Sequence, residues 1–254
     1  MKFSTPAVLV ATASVVHATV FLAGDSTMAR NGGGAGTGTD GWGQFLQFSL
    51  NVPVNNQAIG GRSARSFTRE GRFQTIINTV TSGDTVIIEF GHNDGGSLST
   101  DNGRTDCPGA GNETCQTVFN GVQETVLTYP AYLQNAARAM IAKGAQVIIS
   151  SPTPNNPWEG GSFVYTPNRF TNYSRASAAA VGAAFVDHGQ YTANRFQALG
   201  KGTVDAFFPN DHTHTSPAGA NVVAQAFVKG LLCGNAPLKA QVRNSTASVP
   251  GSCI

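Results

Sequence analysis

Two short segments far apart in the chain carry residue types that suit nucleophilic catalysis. Phe21-Leu22-Ala23-Gly24-Asp25-Ser26-Thr27 places a serine directly after an apolar run, at a turn that would present its hydroxyl above the edge of a sheet. Asp211-His212-Thr213-His214 stands just before Ser216-Pro217, where Ser caps and Pro opens a helix. A spacing of three lets Asp211 meet the His214 ring. A carboxylate on Nδ1–H leaves Nε2 free to take a proton from a hydroxyl such as that of Ser26. Residue types alone leave other uses open. Asp25-Ser26-Thr27 also suits a helix cap or turn, and Asp211, His212 and His214 also suit a metal site or a structural cap.

Gly60-Gly61-Arg62-Ser63 and Gly91-His92-Asn93-Asp94 each follow a further apolar run. A glycine lets a backbone N–H approach a ligand with no Cβ in the way, and an asparagine amide can donate a second hydrogen bond to a developing oxyanion. Gly-Gly and Asn-Asp are also ordinary turn formers. Neither G-x-S-x-G nor H-E-x-x-H occurs, so the nucleophile-elbow and zincin readings fall away. The run Gly32-Gly33-Gly34-Ala35-Gly36 follows a strand, but no G-x-G-x-x-G register opens directly at that strand's end, and the next strand ends in Asn55-Asn56 with no acidic residue for a ribose.

The elements that must hold these residues alternate between strand and helix patterns, which implies parallel strands joined by helical crossovers. Strands are expected at Thr19 to Ala23, Pro53 to Asn55, Thr85 to Phe90, Gln146 to Ser150 and Ala184 to Asp187. Most are short apolar runs suited to a sheet covered on both faces. Helices are expected at about Gly43 to Leu50, Arg72 to Thr79, Thr128 to Lys143, Thr171 to Val181, Thr192 to Leu199 and Pro217 to Leu232. The result is an α/β flavodoxin-like three-layer sandwich with a five-stranded parallel sheet. Long polar stretches at Asn31 to Asp40, Asp94 to Gln116 and Thr153 to Thr166 all follow strand ends, the edge of an open parallel sheet where sites form.

Lys2, an apolar run from Pro6 to Val16 and Val16-His17-Ala18 read as an export signal over residues 1–18, leaving 19–254 as a single domain. No other apolar stretch reaches the roughly 20 residues a membrane span needs. Charged residues make up 12% of the chain against a usual ~25%, and the formal net charge is +2. That balance excludes a basic nucleic-acid-binding surface. Cys107, Cys115, Cys233 and Cys253 are an even set in an exported chain, which favours disulfides. Proximity pairs Cys107 with Cys115 and Cys233 with Cys253. Asn112, Asn172 and Asn244 open glycosylation sequons.

Taken together, the blocks carrying Ser26, Gly61, Asn93 and Asp211-x-x-His214 resemble, in this order, the GDSL or SGNH hydrolases. Leu22 to Met28, Asp40-Gly41-Trp42-Gly43, Gly61 to Ser66 and Phe90 to Asp94 are similar, more narrowly, to the rhamnogalacturonan acetylesterase branch of that family. The first block here reads Gly24-Asp25-Ser26-Thr27, where the family usually ends in Leu. The resemblance implies Ser26 as nucleophile, Asp211 and His214 as its partners, and the Ser26 N–H, Gly61 and Asn93 as oxyanion donors. It implies no cofactor and no metal, and as partner an acidic plant cell-wall polysaccharide, acetylated on galacturonic acid residues.

The surrounding residues suit such a substrate in part. Arg62 and Arg65 flank the Gly61 turn and can pair with a uronic acid carboxylate, although Arg65 alternatively faces Glu70 along a helix. Trp158 can stack on a sugar ring, whereas Trp42 and Phe90 are expected to pack in the core. The expectation is a secreted, monomeric esterase that binds neither nucleic acid nor membrane.

Overall fold

A computed structural model describes residues 18–254; the expected export segment falls, but for its last residue, outside the described residues. Among the described residues there are seven strands: β1 (Val20–Gly24), β2 (Val54–Asn56), β3 (Thr85–Glu89), β4 (Thr114–Phe119), β5 (Val122–Leu127), β6 (Gln146–Ser150) and β7 (Ala184–Val186). Five of them form one parallel sheet in the order β2-β1-β3-β6-β7, while β4 and β5 pair as a separate antiparallel hairpin. The helices are α1 (Ala64–Arg69), α2 (Arg72–Thr79), α3 (Tyr129–Ala142), α4 (Arg169–Val181), α5 (His188–Leu199), α6 (Lys201–Asp205) and α7 (Pro217–Cys233).

The period-two alternation of strand side chains divides the core into two layers. Phe21, Ala23, Val86, Ile88, Val147 and Ile149 face one way and pack with Phe67, Phe73, Leu133, Met140 and Phe170 from α1 to α4. Val20, Leu22, Ile87, Ile148 and Val186 face the other way, against Phe196, Val204, Phe227 and Leu231 from α5 to α7. Val86-Ile87-Ile88 and Val147-Ile148-Ile149 are β-branched, stiff at χ1 and apolar on both faces, so an extended buried strand suits them better than a helix. Each fully buried aliphatic side chain contributes about 1.5–3 kcal/mol.

A polar seam crosses this core. The buried Glu89 carboxylate at the end of β3 accepts from Trp42 Nε1 (2.8 Å) and Ser150 Oγ (2.6 Å) and bonds His188 Nδ1 (2.7 Å), while His188 Nε2 faces the Val223 carbonyl at 2.9 Å. It thus ties β3, β6, α5 and α7 to the turn carrying Trp42. As expected from sequence, Trp42 and Phe90 are core residues, both fully buried.

All five expected sheet strands form, within a residue or so of the expected bounds. Several elements differ from expectation. The segment Gly43 to Leu50 is two 3-10 turns, Trp42–Gln44 and Leu46–Ser49, with Trp42 and Leu46 both buried in the core. The polar stretch Asp94 to Gln116 runs into the unexpected hairpin β4–β5, whose turn is Asn120-Gly121 with φ of 51° and 77°. Helices α1 and α6 are short additions; α1 is started by a capping box in which the Ser63 side chain accepts from the Ser66 N–H.

Both expected disulfides form. Cys107–Cys115 closes the loop leading into β4, and Cys233–Cys253 tethers the tail after α7. Lys229 supports the same tail by donating its Nζ to the carbonyls of Thr246 (2.7 Å) and Val249 (3.1 Å).

Candidate active site

Ser26 sits two residues past the end of β1, in a turn that the sequence builds locally. Asp25 Oδ1 accepts from the N–H (2.9 Å) and hydroxyl (2.8 Å) of Thr27, and the Asp25 carbonyl accepts from the Ala29 N–H at 3.0 Å. A Cβ on Gly24 would lie 2.7 Å from Met28 Sδ and 2.8 Å from the Glu89 carbonyl, so this close strand-to-turn junction needs glycine. Ser26 itself is buried to 6% exposure, with its Oγ 2.9 Å from His214 Nε2.

The His214 ring is held from its other side. Nδ1 lies 2.7 Å from Asp211 Oδ2, and Asp211 Oδ1 accepts from the N–H groups of Thr213 (2.7 Å) and His214 (2.8 Å). Partial burial pushes the Asp211 carboxyl up, but the hydrogen bonds from the His214 ring and the two N–H groups outweigh it and hold the group down at about 2. It is therefore ionised over the whole range in which an enzyme works.

The Asp211 to His214 segment is irregular and depends on two of the long loops. From the first, Asp40 N–H donates to the Thr215 carbonyl (2.8 Å), Asn210 Nδ2 donates to the Thr37 carbonyl (2.7 Å), and a Cβ on Gly33 would come within 3.0 Å of the His214 ring. From the second, Asn156 N–H donates to the His212 carbonyl (2.7 Å) and Asn155 Oδ1 accepts from the Thr213 hydroxyl (3.0 Å). His212 turns away from His214, its Nδ1 3.0 Å from Glu159 Oε2, so the Asp211, His212 and His214 side chains do not converge. Among the described residues no group of three His, Cys, Asp or Glu side chains is placed to hold a metal ion.

The tips of β2 and β3 complete the site. Gly61 has φ of 75°, in the left-handed region that favours glycine, and a Cβ on Gly60 would lie 3.6 Å from Ser26 Cβ. Asn93 donates one amide hydrogen to the Arg62 carbonyl (3.1 Å), while its Oδ1 accepts from Arg104 Nη1 (3.0 Å). Those two contacts determine which way the amide faces, since a guanidinium offers only donors. Among the described residues, the N–H groups of Ser26 and Gly61 meet no acceptor. Beside this edge lies a cleft of about 380 Å³ lined by His92, Thr153, Asn155, Asn156, Asn168 and others.

Beneath the oxyanion side lie three buried carboxyls, Asp25, Asp94 and Asp106. Asp94 Oδ1 accepts from the Ala64 N–H (2.7 Å), which anchors α1 and the Gly60-Gly61 turn to the tip of β3. Burial pushes the Asp94 carboxyl up to about 7, helped by the charge of Asp25, and burial together with Asp94 raises Asp106 well above the usual carboxyl range. Asp94 Oδ2 and both carboxyl oxygens of Asp106 are buried without a hydrogen-bond partner among the described residues.

Of the residues expected to receive substrate, Arg65 is not available. It is fully buried, with Nη1 and Nη2 each 2.8 Å from an oxygen of Asp101, Nε and Nη2 on the Glu124 carboxylate (3.0 and 2.7 Å), and Nη1 donating to the Thr105 carbonyl (2.8 Å). This fork clamps α1 to the loop before β4 and to β5, and the hairpin that supplies Glu124 was not foreseen from the sequence. Arg62, not Arg65, meets Glu70: its Nε lies 3.2 Å from that carboxylate and Nη1 donates to the Gly60 carbonyl (2.9 Å). Trp158 is half-buried as an anchor of its loop, donating its indole N–H to the Phe196 carbonyl (3.0 Å) with its ring edge-on to Phe163. Asn155, Asn156 and Arg104 were missed, because nothing in Pro154-Asn155-Asn156-Pro157 or Asn102-Gly103-Arg104 distinguishes a supporting residue from an ordinary turn. The sequon residues Asn112, Asn172 and Asn244 are all exposed, Asn172 within α4.

With this geometry established, comparison with known proteins gives a consistent answer. Residues 20–227 match the GDSL-like Lipase/Acylhydrolase family. A rhamnogalacturonan acetylesterase of Emericella nidulans is 60% identical over 225 residues, covering 89% of each chain. The rhamnogalacturonan acetylesterase RhgT of Bacillus subtilis is 30% identical, covering 87% of this chain and 92% of its own. The solved structure of the Bacillus subtilis protein YxiM superposes with a TM-score of 0.67 at 22% identity, covering 85% of this chain and 56% of that longer one; at that identity it speaks for the fold alone. The chain belongs to the GDSL-like lipase and acylhydrolase family and is a carboxylic-ester hydrolase.

Proposed function

We propose that this protein is a secreted rhamnogalacturonan acetylesterase that removes acetyl groups from galacturonic acid residues of pectin through Ser26, His214 and Asp211. The observation that carries the mechanism is the unbroken relay from Asp211 Oδ2 to His214 Nδ1 (2.7 Å) and from His214 Nε2 to Ser26 Oγ (2.9 Å). The substrate is taken from the relative that is 60% identical.

Ser26 Oγ attacks the acetyl carbonyl as His214 Nε2 takes its proton. Asp211, ionised throughout, holds Nδ1–H and stabilises the imidazolium. Charge developing on the carbonyl oxygen is received by the N–H groups of Ser26 and Gly61 and by the Asn93 amide hydrogen not engaged by Arg62. His214 then returns the proton to the departing sugar oxygen, leaving an acetyl-serine. Water, deprotonated by His214, attacks this ester; collapse of the second tetrahedral intermediate releases acetate and returns the proton to Ser26.

Export is read from residues 1–18, which fits the two disulfides. Glycosylation at Asn112, Asn172 and Asn244 and a monomeric state belong to the same reading. The test measures acetate released from acetylated rhamnogalacturonan, acetylated xylan and a triglyceride. Preference for the first by at least tenfold in kcat/KM supports the assignment, and a preference for either of the others overturns it.

A further inference from the structure

Arg104 is the one arginine in contact with the candidate oxyanion residues through its side chain while carrying no carboxylate partner among the described residues. By contrast, Arg62 and Arg72 pair with Glu70, Arg65 with Asp101 and Glu124, and Arg69 with Glu124. Arg104 is half-buried, and its Nη1 lies 3.0 Å from Asn93 Oδ1 and 3.9 Å from where a Cβ on Gly61 would stand. It therefore borders the same space as the two oxyanion donors. A guanidinium carries five N–H donors in a planar fork, and the Asn93 contact engages only one nitrogen.

A partly desolvated cation of this kind is suited to an anion brought by the ligand. We propose that Arg104 binds the carboxylate of the uronic acid residue whose ester is being cleaved; this rests on the reading of an acetylated galacturonan as substrate. A pyranuronate holds its carboxylate and its secondary hydroxyls on one rigid ring, so a carboxylate seated on Arg104 orients the acetyl ester toward Ser26. Arg–carboxylate pairing is charge-assisted and two-pronged, giving direction as well as attraction. The same side chain, by donating to Asn93 Oδ1, keeps the Asn93 amide hydrogens turned away from it, so carboxylate recognition and oxyanion geometry meet in one residue.

The test separates these two roles. Wild type and Arg104→Met are compared on acetylated rhamnogalacturonan with free uronates and on the same polymer with its uronates methyl-esterified, which removes the charge and keeps the acetyl groups. Loss of Asn93 orientation slows both substrates alike. Loss of carboxylate binding slows the free acid by at least a further tenfold in kcat/KM, and that excess is the expected result. Arg104→Gln is the second variant, since it keeps an N–H for Asn93 and removes the charge; it is expected to lose the same discrimination. Equal losses on the two polymers, in either folded variant, overturn the proposal and leave the substrate reading standing. A wild-type enzyme that cleaves p-nitrophenyl acetate but neither polymer overturns both.

Discussion

Ser26 Oγ and His214 Nε2 stand 2.9 Å apart across 188 residues of chain, and this single contact divides the candidate roles of every residue around it. Ser26→Ala is expected to lower ester hydrolysis by roughly 10³-fold or more with an unchanged circular dichroism spectrum, because a small hydroxyl contributes little to stability and the whole covalent step. Retention of a tenth of the activity excludes Ser26 as nucleophile. A serine-directed organophosphate is expected to label Ser26 alone, and exhaustive chelation to leave the rate unchanged; activity lost to a chelator and restored by zinc speaks for a metal instead.

Asn93 carries no titratable group, and Asp211 stays ionised above about pH 2, so His214 is the member of the set that must lose a proton to act as base. The rate is expected to fall on the acid side with the slope of one proton. Asn93→Ala should lower it by about 10² to 10³ at every pH without moving that limb. A displaced limb in the variant shows that Asn93 orients the base and is not an oxyanion donor.

Arg65 is expected to matter for stability, not for substrate binding. Arg65→Met strands Asp101 beside a buried apolar chain and leaves Glu124 with Arg69 alone, and breaking such a buried pair costs about 3–5 kcal/mol. Chemical unfolding should show the loss, with KM little altered in whatever fraction remains folded. A stable variant with a tenfold higher KM contradicts the structural assignment.

The Asp94–Asp106 pair makes stability depend on pH in the direction opposite to most carboxylates. The folded protein holds Asp94 at about 7, far above its unfolded value, so it binds protons more tightly than the unfolded chain. The resulting stabilisation is complete below about pH 4 and is lost as pH rises through about 7. Asp106→Asn removes the second acid at nearly constant side-chain volume. Its unfolding free energy should therefore fall less than that of the wild type between pH 5 and 8; parallel curves for the two proteins exclude this pair as the source.

The chain's local patterns were enough to determine the sheet strands, the two disulfides and the order of the chemistry-bearing blocks. Short β-branched runs have few alternatives to a buried parallel strand, and a Ser or Asn at a strand tip is placed by the strand itself. Phe119-Asn120-Gly121-Val122 is also legible, since Asn-Gly between alternating residues is the strongest hairpin signal, although it lies just past the polar stretch Asp94 to Gln116 in a segment given no strand. What the tertiary structure alone decided is the destination of the cations. Arg62 and Arg65 look equally suited to a carboxylate in the sequence, yet Arg62 meets Glu70 and Arg65 meets Asp101 and Glu124, while Arg104, which nothing in the sequence singles out, meets Asn93. The partners of Arg65 lie 36 and 59 residues away, supplied by a loop and a hairpin that α1 packs against. An ion pair is chosen by which charges the folded backbone brings within a few ångströms, and spacing along the chain carries no record of that choice.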